Sequence, residues 1–366
     1  MSSKILFILH LPPPVHGASV MGKYIQDSTL INLNHHCTYI NLATAKDFSD
    51  ISKFRLKKVL SLICLLIKIF QQVRKERPNL VYITPNAKGG PFYKDFIVVQ
   101  FLKLLNCKIV AHYHNKGVKN RQDNILDNFL YQLFFKNLKV ILLSEILYQD
   151  IAKYVDRKNV FICPNGIPET SQAIKQKRND KMQILYLSNL QKEKGIMDVL
   201  DACSILKDKG YDFTCNIIGS ETAEMSGTML TEEINTRNLK DKVYYCGKKY
   251  GEEKDAFYKE TDIFVFPTYY HNECFPVVLL EAMQHECACI STNEGGIANI
   301  IDHGKNGYIV EKRNPAVLAS TIEELMNHPE RMRNIGKAGR EKFLAHFTLD
   351  QYEQNIHSIL KELTQE

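Results

Sequence analysis

Residues 261–292 read TDIFVFPTYYHNECFPVVLLEAMQHECACIST, and this stretch decides the fold. Four apolar residues, Ile263–Phe266, stand between Asp262 and Pro267, which suits a short strand buried on both faces. A loop follows over 267–272. Residues 277–284 then carry a helical pattern, with Pro276 suited to a first turn, where its missing N–H costs nothing. A second short apolar run fills 288–291. Buried strand, helix and buried strand form one unit of a parallel sheet covered by helices.

The same grammar extends in both directions. In the first half, strands are expected at 4–9, 38–42, 80–84, 108–112, 139–143 and 160–163, with helices at 19–30, 54–77, 92–105, 124–135 and 145–154. In the second half, strands are expected at 183–187, 213–218 and 243–246, with helices at 196–209, 229–237, 252–259 and 315–326. The expected fold class is α/β, with two Rossmann-like, doubly wound parallel sheets facing a cleft. The turn signal Pro164-Asn165-Gly166 and the polar stretch 169–181 divide the chain into 1–165 and 166–346. A terminal helix, 347–366, is expected to pack back on the first domain. In such sheets ligands bind beyond the carboxyl ends of the strands, so the loops after them are where chemistry is sought.

Composition narrows the class. Hydrophobic residues at 45% and charged residues at 24% describe a globular chain and exclude a disordered one. The ten cysteines form no CxxC pair, and Cys287 and Cys289 are badly spaced for zinc, which suggests a reducing, cytoplasmic setting. The apolar run after Lys4 is short and ends at His10 and three prolines, so it reads as a first strand rather than a signal peptide. The net charge of +6 hides an asymmetry: residues 1–165 carry +13. A basic first half suggests an anionic partner, and an uneven solvated surface explains it equally.

The strongest local chemistry lies in 273–281. Free amides of Val277 and Val278 at a helix N-terminus favour a phosphate. Glu281, one turn further in among apolar residues, needs hydrogen-bond donors; ribose hydroxyls would supply them, and so would neighbouring backbone.

At this point the sequence resembles a known family. ECFPVVLLEAM (273–283) looks like the paired-glutamate motif of glycosyltransferase family 4, whose members have the GT-B fold and transfer sugars with retention. The resemblance covers nearly the whole chain. LYLSNLQKEKGIMDVLDA (185–202) is similar to the opening of the family's donor domain, and TDIFVFPT (261–268) to the strand before the glutamates. ICPNGI (162–167) resembles the interdomain crossing, GGIANIIDHGKNGYIV (295–310) the stretch beyond the glutamates, and PPPVHGAS (12–19) the glycine loop after the first strand.

The resemblance implies roles for particular residues. Gly17 would let backbone approach the donor diphosphate, Lys194 would give it a cation, and Val277 and Val278 would give it amides, with Phe275 beside them. Glu281 would hold the ribose, and Glu273 would touch sugar hydroxyls. His114 would stand beside the sugar and acceptor, so His114, Lys194 and Glu273 are the implied catalytic set. Asn189, Gly219-Ser220 and Cys246-Gly247-Lys248 would line the nucleotide pocket. The sequence departs from the family where Asn189 replaces a common arginine, leaving Lys194 as the main cation unless Lys192 or Lys248 assists. It departs again where Asn299 replaces a common glutamate, which bears on contacts near Gly295 and Gly296.

Breaking a sugar–phosphate bond puts negative charge on the diphosphate and oxocarbenium character on the sugar, which suits cations, amides and a carboxylate in these places. No Asp-x-Asp occurs, so no metal and no cofactor are expected; the nucleotide-sugar is the donor substrate. The acceptor would be a saccharide or lipid-linked saccharide, in surface polysaccharide assembly.

Other residues carry weaker signals. His112 and His114 alternate at a strand end and are expected to face opposite ways, with only His114 reaching the cleft. His10 and His16 flank the glycine loop, His16 as a further acceptor contact. His35 and His36 read as a solvated turn. Tyr269, Tyr270 and His271 would line the sugar pocket or stand exposed on their loop.

Competing functions are a dehydrogenase, a sugar-nucleotide epimerase and a non-catalytic nucleotide-sugar binder. The first would need a G-x-G-x-x-G after the first strand, which HLPPPVHGASVMG lacks. Nothing combines basic residues with base-stacking aromatics, so no nucleic-acid partner is expected.

Residues 59–70, apolar except for Ser61 and Lys68, span only ~18 Å as a helix against a hydrocarbon core of ~30 Å, too short to cross a bilayer. At ~100° per residue, Lys53, Lys57, Lys68 and Lys75 fall within ~60°, while Leu62, Leu66, Ile69 and Val73 point the other way. That suits a helix on the sheet with its lysines in water, and equally a helix seated peripherally on the inner, anionic face of a membrane.

Overall fold

The computed structural model describes residues 3–13, 17–42, 54–170 and 181–365, with backbone alone for 54–57. His16 and Lys53, and the side chain of Lys57, fall outside the described residues. The chain divides into two compact units, Met1–Gly166 with Leu349–Glu366, and Ile167–Thr348.

The first unit holds six parallel strands: β1 (Lys4–Leu9), β2 (His36–Asn41), β3 (Leu80–Ile83), β4 (Ile109–Tyr113), β5 (Lys139–Leu142) and β6 (Val160–Ile162). Their order is β2-β1-β3-β4-β5-β6. Its helices are α1 (Gly17–Asp27), α2 (Thr29–Asn34), α3 (Phe54–Glu76), α4 (Gly89–Leu104) and α5 (Ile125–Phe135). The step from β1 to β2 runs one way along the sheet, and the steps from β2 through β5 run the other. Right-handed crossovers therefore put α1 and α2 on one face and α3, α4 and α5 on the opposite face. α3 packs beside α4, and α4 beside α5.

The second unit repeats the plan with β7 (Met182–Leu187), β8 (Phe213–Ile218), β9 (Val243–Tyr245), β10 (Ile263–Phe266), β11 (Ala288–Thr292) and β12 (Tyr308–Val310), ordered β12-β11-β10-β7-β8-β9. The helices are α6 (Ile196–Asp208), α7 (Gly227–Thr236), α8 (Gly251–Glu260), α9 (Val277–Gln284), the short α10 (Ile297–Ile300), α11 (Pro315–Asn327) and α12 (Pro329–His346). Val199, Leu200 and Leu206 of α6 meet Leu318 and Ile322 of α11 over Ile184, Ile263 and Ile290 of the sheet, all buried in one core. The last helix, α13 (Leu349–Gln365), belongs to the first unit and packs against α2.

Several expectations change for identifiable reasons. The helix expected over 19–30 breaks at Ser28, whose hydroxyl accepts from the Ile31 amide at 3.2 Å and caps α2. The expected helix 145–154 is a 3-10 turn, Glu145–Asp150, followed by turns closed by i to i−3 bonds such as Tyr154 N to Ile151 O. Pro276 occupies the N-cap of α9, with φ −69° and ψ 117°, rather than its first turn. His35 is not in a solvated turn: it is buried, bonded to Ser3 Oγ at 2.6 Å and to His357 of α13 at 3.2 Å. Neither β12 nor α12 was expected.

Ile356 is fully buried in α13, whereas Ser358 is exposed. Ile356→Ala should lower the unfolding free energy by about 2–5 kcal/mol in urea titrations, and Ser358→Ala by less than about 0.5 kcal/mol.

Candidate functional site

In the second sheet the chain starts at β7 and builds outward in both directions, so the strand order reverses between β7 and β10. Loops beyond the carboxyl ends of strands at such a switch point diverge and leave a crevice. The two loops here are 188–195 and 267–276.

The first loop ends in a 3-10 turn, Lys192–Lys194, closed by Gly195 at φ +86°. A Cβ on Gly195 would lie 2.4 Å from the Pro267 carbonyl oxygen, so only glycine lets this turn press on the second loop. Tyr269 N donates to Glu193 O at 2.8 Å, which fastens the two loops together, and Tyr186 OH on β7 donates to Lys194 O at 3.3 Å, which holds the first loop over its own strand. The result is that Lys194 Nζ meets Glu273 Oε2 at 2.5 Å, with both side chains largely buried. The ammonium also sits 4.4 Å from the Tyr270 ring centroid and 5.6 Å from that of Phe266.

Glu273 itself is held by its backbone N–H, which donates to Tyr270 O at 2.8 Å, and Cys274 O accepts from Gly296 N at 2.6 Å. Four residues later α9 begins. Its Pro276 cap offers no side chain to the first turn, so Val277 and Val278 present amides without intrahelical partners. Phe275 is buried, its ring 5.6 Å from that of Phe347, so its side chain serves the core.

Glu281 lies in the second turn of α9, and neither ribose nor neighbouring backbone is needed to supply its donors. Lys254 Nζ approaches Oε1 at 2.6 Å, and Tyr258 OH donates to Oε2 at 3.0 Å. Both come from α8, four residues apart on one face, a spacing visible in the sequence but not read from it. Burial, together with the Glu281 charge, holds the Tyr258 phenol well above its usual range, so it remains a donor.

The residues expected to line a nucleotide pocket form one linked cluster of loops. Gly219 N donates to Gly247 O at 3.0 Å, Tyr245 OH to Gly219 O at 3.0 Å, and Leu190 N to Ser220 O at 2.9 Å. A Cβ at Gly219 would overlap the Ser188 carbonyl oxygen at 1.7 Å, so this glycine is required by the approach of the two loops. Cys246 is half-buried and Asn189 exposed. Lys248 is turned over the Tyr250 ring at 4.6 Å. Of the loop aromatics, Tyr269 lies under Arg313 at 4.4 Å, and His271 is 3.4 Å from Glu193.

In the first unit the order reverses between β1 and β3, and the loops there carry His10, Thr84 and Asn86. His10 N donates to Thr84 Oγ1 at 3.1 Å, and Asn86 Nδ2 to the buried Asp95 at 2.8 Å. Gly17 opens α1, and a Cβ added there would meet nothing within 4 Å. His114 follows β4 directly and is half-buried. The expected opposition of His112 and His114 does not hold: their ring centroids are 4.2 Å apart. Residues two apart on a strand share a face, so both rings lie on one side. His112 is fully buried, bonded through Nδ1 to Tyr82 OH, and burial and His114 together hold its pKa well below the ordinary range.

Comparison with known proteins bears on this geometry. Residues 167–342 match the family described as Glycosyl transferases group 1. The second unit is a group 1 glycosyltransferase domain.

Curated relatives of this glycosyltransferase domain include the Staphylococcus aureus capsular polysaccharide biosynthesis glycosyltransferase CapM, 31% identical over 50% of this chain and 48% of that one. The chain thus spans about half the length of that relative. The Erwinia amylovora amylovoran biosynthesis glycosyltransferase AmsK is 26% identical over 76% of this chain and 72% of its own. Among solved structures, a glycosyltransferase from Rickettsia africae superposes with a TM-score of 0.77 at 18% identity, covering 99% of this chain and 98% of that one. Anabaena HepE in complex with UDP and glucose gives 0.72 at 17% identity, covering 98% and 100%. These likenesses establish the GT-B class of fold, with two Rossmann-like parallel sheets.

Two outcomes follow for the protein. Gly195→Ala must hold a side chain in the left-handed region, at about 1–2 kcal/mol, and also push on Pro267, so urea unfolding should show a loss of at least that size. Buried neutral His112 makes stability fall as pH drops below the unfolded-state histidine value of about 6.5, by up to ~1.4 kcal/mol per pH unit, because the unfolded chain then binds more protons. Unfolding free energies of wild type and His112→Phe, compared from neutral pH downward, should converge through that window.

Proposed function

We propose that this protein transfers a sugar from a nucleotide-sugar donor to a saccharide or lipid-linked saccharide acceptor in the assembly of a surface polysaccharide. The observation that carries the reading is the Lys194–Glu273 pair, set at the switch point of a group 1 glycosyltransferase domain beside the open amides of α9. The names of relatives support the pathway, since CapM and AmsK are described as capsular polysaccharide and amylovoran biosynthesis glycosyltransferases.

In this reading the donor diphosphate takes Lys194 and the amides of Val277 and Val278, and Glu273 turns to the sugar hydroxyls. Glu281, oriented by Lys254 and Tyr258, accepts from the ribose. The loops at Asn189, Gly219 and Cys246-Gly247 border the base. The bond between the anomeric carbon and the diphosphate oxygen breaks. The acceptor oxygen bonds to the same carbon, and its proton passes to the departing diphosphate on the same face, giving retention without a metal. Fixed cations and amides stabilise the leaving group where its charge develops.

Turnover should survive excess EDTA, and the product anomer should match the donor's. Loss on chelation, restored by magnesium or manganese, refutes metal independence. Donor incubated alone should not isomerise, which separates transfer from epimerisation. Lys194→Ala should lower turnover by ~10²–10³ while thermal unfolding shows a folded protein, and a loss below about threefold would remove Lys194 as the main cation. In calorimetry with bare nucleoside diphosphate, Glu281→Ala should weaken binding by ~1.5–3 kcal/mol, and Glu273→Ala should leave it nearly intact. Equal losses in both would refute their separate roles.

A further inference from the structure

The first unit carries an apolar surface that the donor-site chemistry does not use. On α3, Ile69 and Val73 are buried and Leu62 and Leu66 half-buried, as expected from the sequence, and Leu65 is buried beside them. Opposite that stripe Lys68 and Lys75 are exposed, as expected, but a further arc of the helix, between the buried stripe and the lysines, is apolar and exposed as well. Val59, Leu60, Ile63, Ile67 and Phe70 are 42–56% exposed, and at ~100° per residue they share an arc of ~100°. Arg74 lies within that arc, 5.7 Å from the Phe70 ring, and the exposed Lys68 and Lys75 border it on one side. On α5, Ile125, Leu126 and Phe129 are exposed to 89%, 58% and 55%.

Charge on this layer is one-sided. Among the described side chains of α3, α4 and α5, the acidic residues are Glu76, Asp95 and Asp127. Glu76 is 3.2 Å from His36, Asp95 is fully buried, and Asp127 is buried against Arg121 at 2.6 Å. No exposed carboxylate stands among them. A second copy of the chain packed symmetrically through α3 would set Lys68, Arg74 and Lys75 against the same residues, with no exposed acid among the described side chains of that helix to answer them; the nearest exposed carboxylate of the patch, Asp123, stands ahead of α5. An anionic lipid surface supplies the missing charge, and an apolar row with basic residues at its rim fits the headgroup–acyl boundary. No helix among the described residues is long and apolar enough to cross a membrane, so the contact would be peripheral.

We infer that the outer face of α3 and α5 docks on an anionic membrane surface, with the apolar row inserted and Lys68, Arg74 and Lys75 on lipid phosphates. Helices that follow parallel strands begin at the carboxyl edge of the sheet, so the exposed Val59, Leu60 and Ile63 of α3 and Ile125, Leu126 and Phe129 of α5 lie toward the edge that bears His10 and His114. A lipid-linked saccharide held in that membrane is thereby presented to this edge. The last step rests on the proposed function; the docking itself does not.

Vesicle flotation tests the docking. The protein should float with vesicles of equimolar phosphatidylcholine and phosphatidylglycerol, float poorly with phosphatidylcholine alone, and be released in part by high salt. Each basic residue near an anionic surface contributes roughly a fivefold factor, so Lys68→Glu with Lys75→Glu should lower partitioning at least about 25-fold. Ile67→Gln with Phe70→Gln should lower it by about tenfold or more. All four positions are exposed, and thermal unfolding verifies that the variants fold. Equal flotation on neutral and anionic vesicles, or full partitioning by either variant, overturns the inference. So does a lipid-free dimer that Ile67→Gln with Phe70→Gln dissociates while vesicles bind nothing. Nucleotide-sugar calorimetry, run without lipid, separates the two claims: docking without donor binding sinks the transferase reading alone, and donor binding without docking sinks this one alone.

Discussion

A lysine and a glutamate 79 residues apart in sequence share a 2.5 Å ion pair, and the arrangement of the second unit's upper edge depends on it. The pair exists because β7 and β10 are neighbours whose chains leave in opposite directions, so that their two loops border the same crevice. Gly195 closes the remaining distance by bringing its turn onto Pro267. A largely buried charge without a partner would be strongly destabilising, so in the ligand-free protein each residue satisfies the other. An anion that arrives with hydroxyls beside it can replace both halves of the pair at once. In the proposed function, a diphosphate and a sugar would separately claim these opposite charges.

Glu281 shows a different arrangement of the same kind. Lys254 and Tyr258 hold it from α8, so its orientation is fixed before any ligand is present. The Tyr258 phenol is fully buried and cannot follow the carboxylate outward, whereas the Lys254 side chain retains some exposure. The carboxylate is thus fixed on one oxygen and adjustable on the other. In the proposed function, a ribose hydroxyl would displace the lysine without disturbing the buried hydrogen bond.

Much of this was legible in the sequence because its signals are local. Short apolar runs fixed the strands to within a residue or two, and the expectation of two doubly wound sheets needed only their alternation with helices. β12 escaped notice because three residues, one of them only half-buried, carry too little period to stand out. The partners of Glu281 were missed because a carboxylate's burial states that donors are needed without saying which element supplies them. Lys254 and Tyr258 precede it by more than twenty residues, and only the packing of α8 against α9 brings them near. The His112–His114 geometry was misjudged by a phase error of one residue in a period of two. On α3 the sequence pointed to one apolar stripe, and the helix has two, because only tertiary packing shows which of two hydrophobic arcs the sheet covers.

That second arc gives meaning to the charge asymmetry of the chain. A surplus of basic residues over 1–165 could be spread over any solvated surface. On the layer of α3, α4 and α5 the three acidic side chains are withdrawn into the protein or held beside basic partners, while the cations of α3 stay out. Selective burial of one sign of charge leaves a positive field on the outer face without requiring many lysines there. Exposed isoleucine, leucine and phenylalanine side chains on that same face cost solubility and add nothing to folding of the unit. Their cost is offset only where something apolar and anionic covers them, and the surface of a membrane has both properties at the depth these helices present.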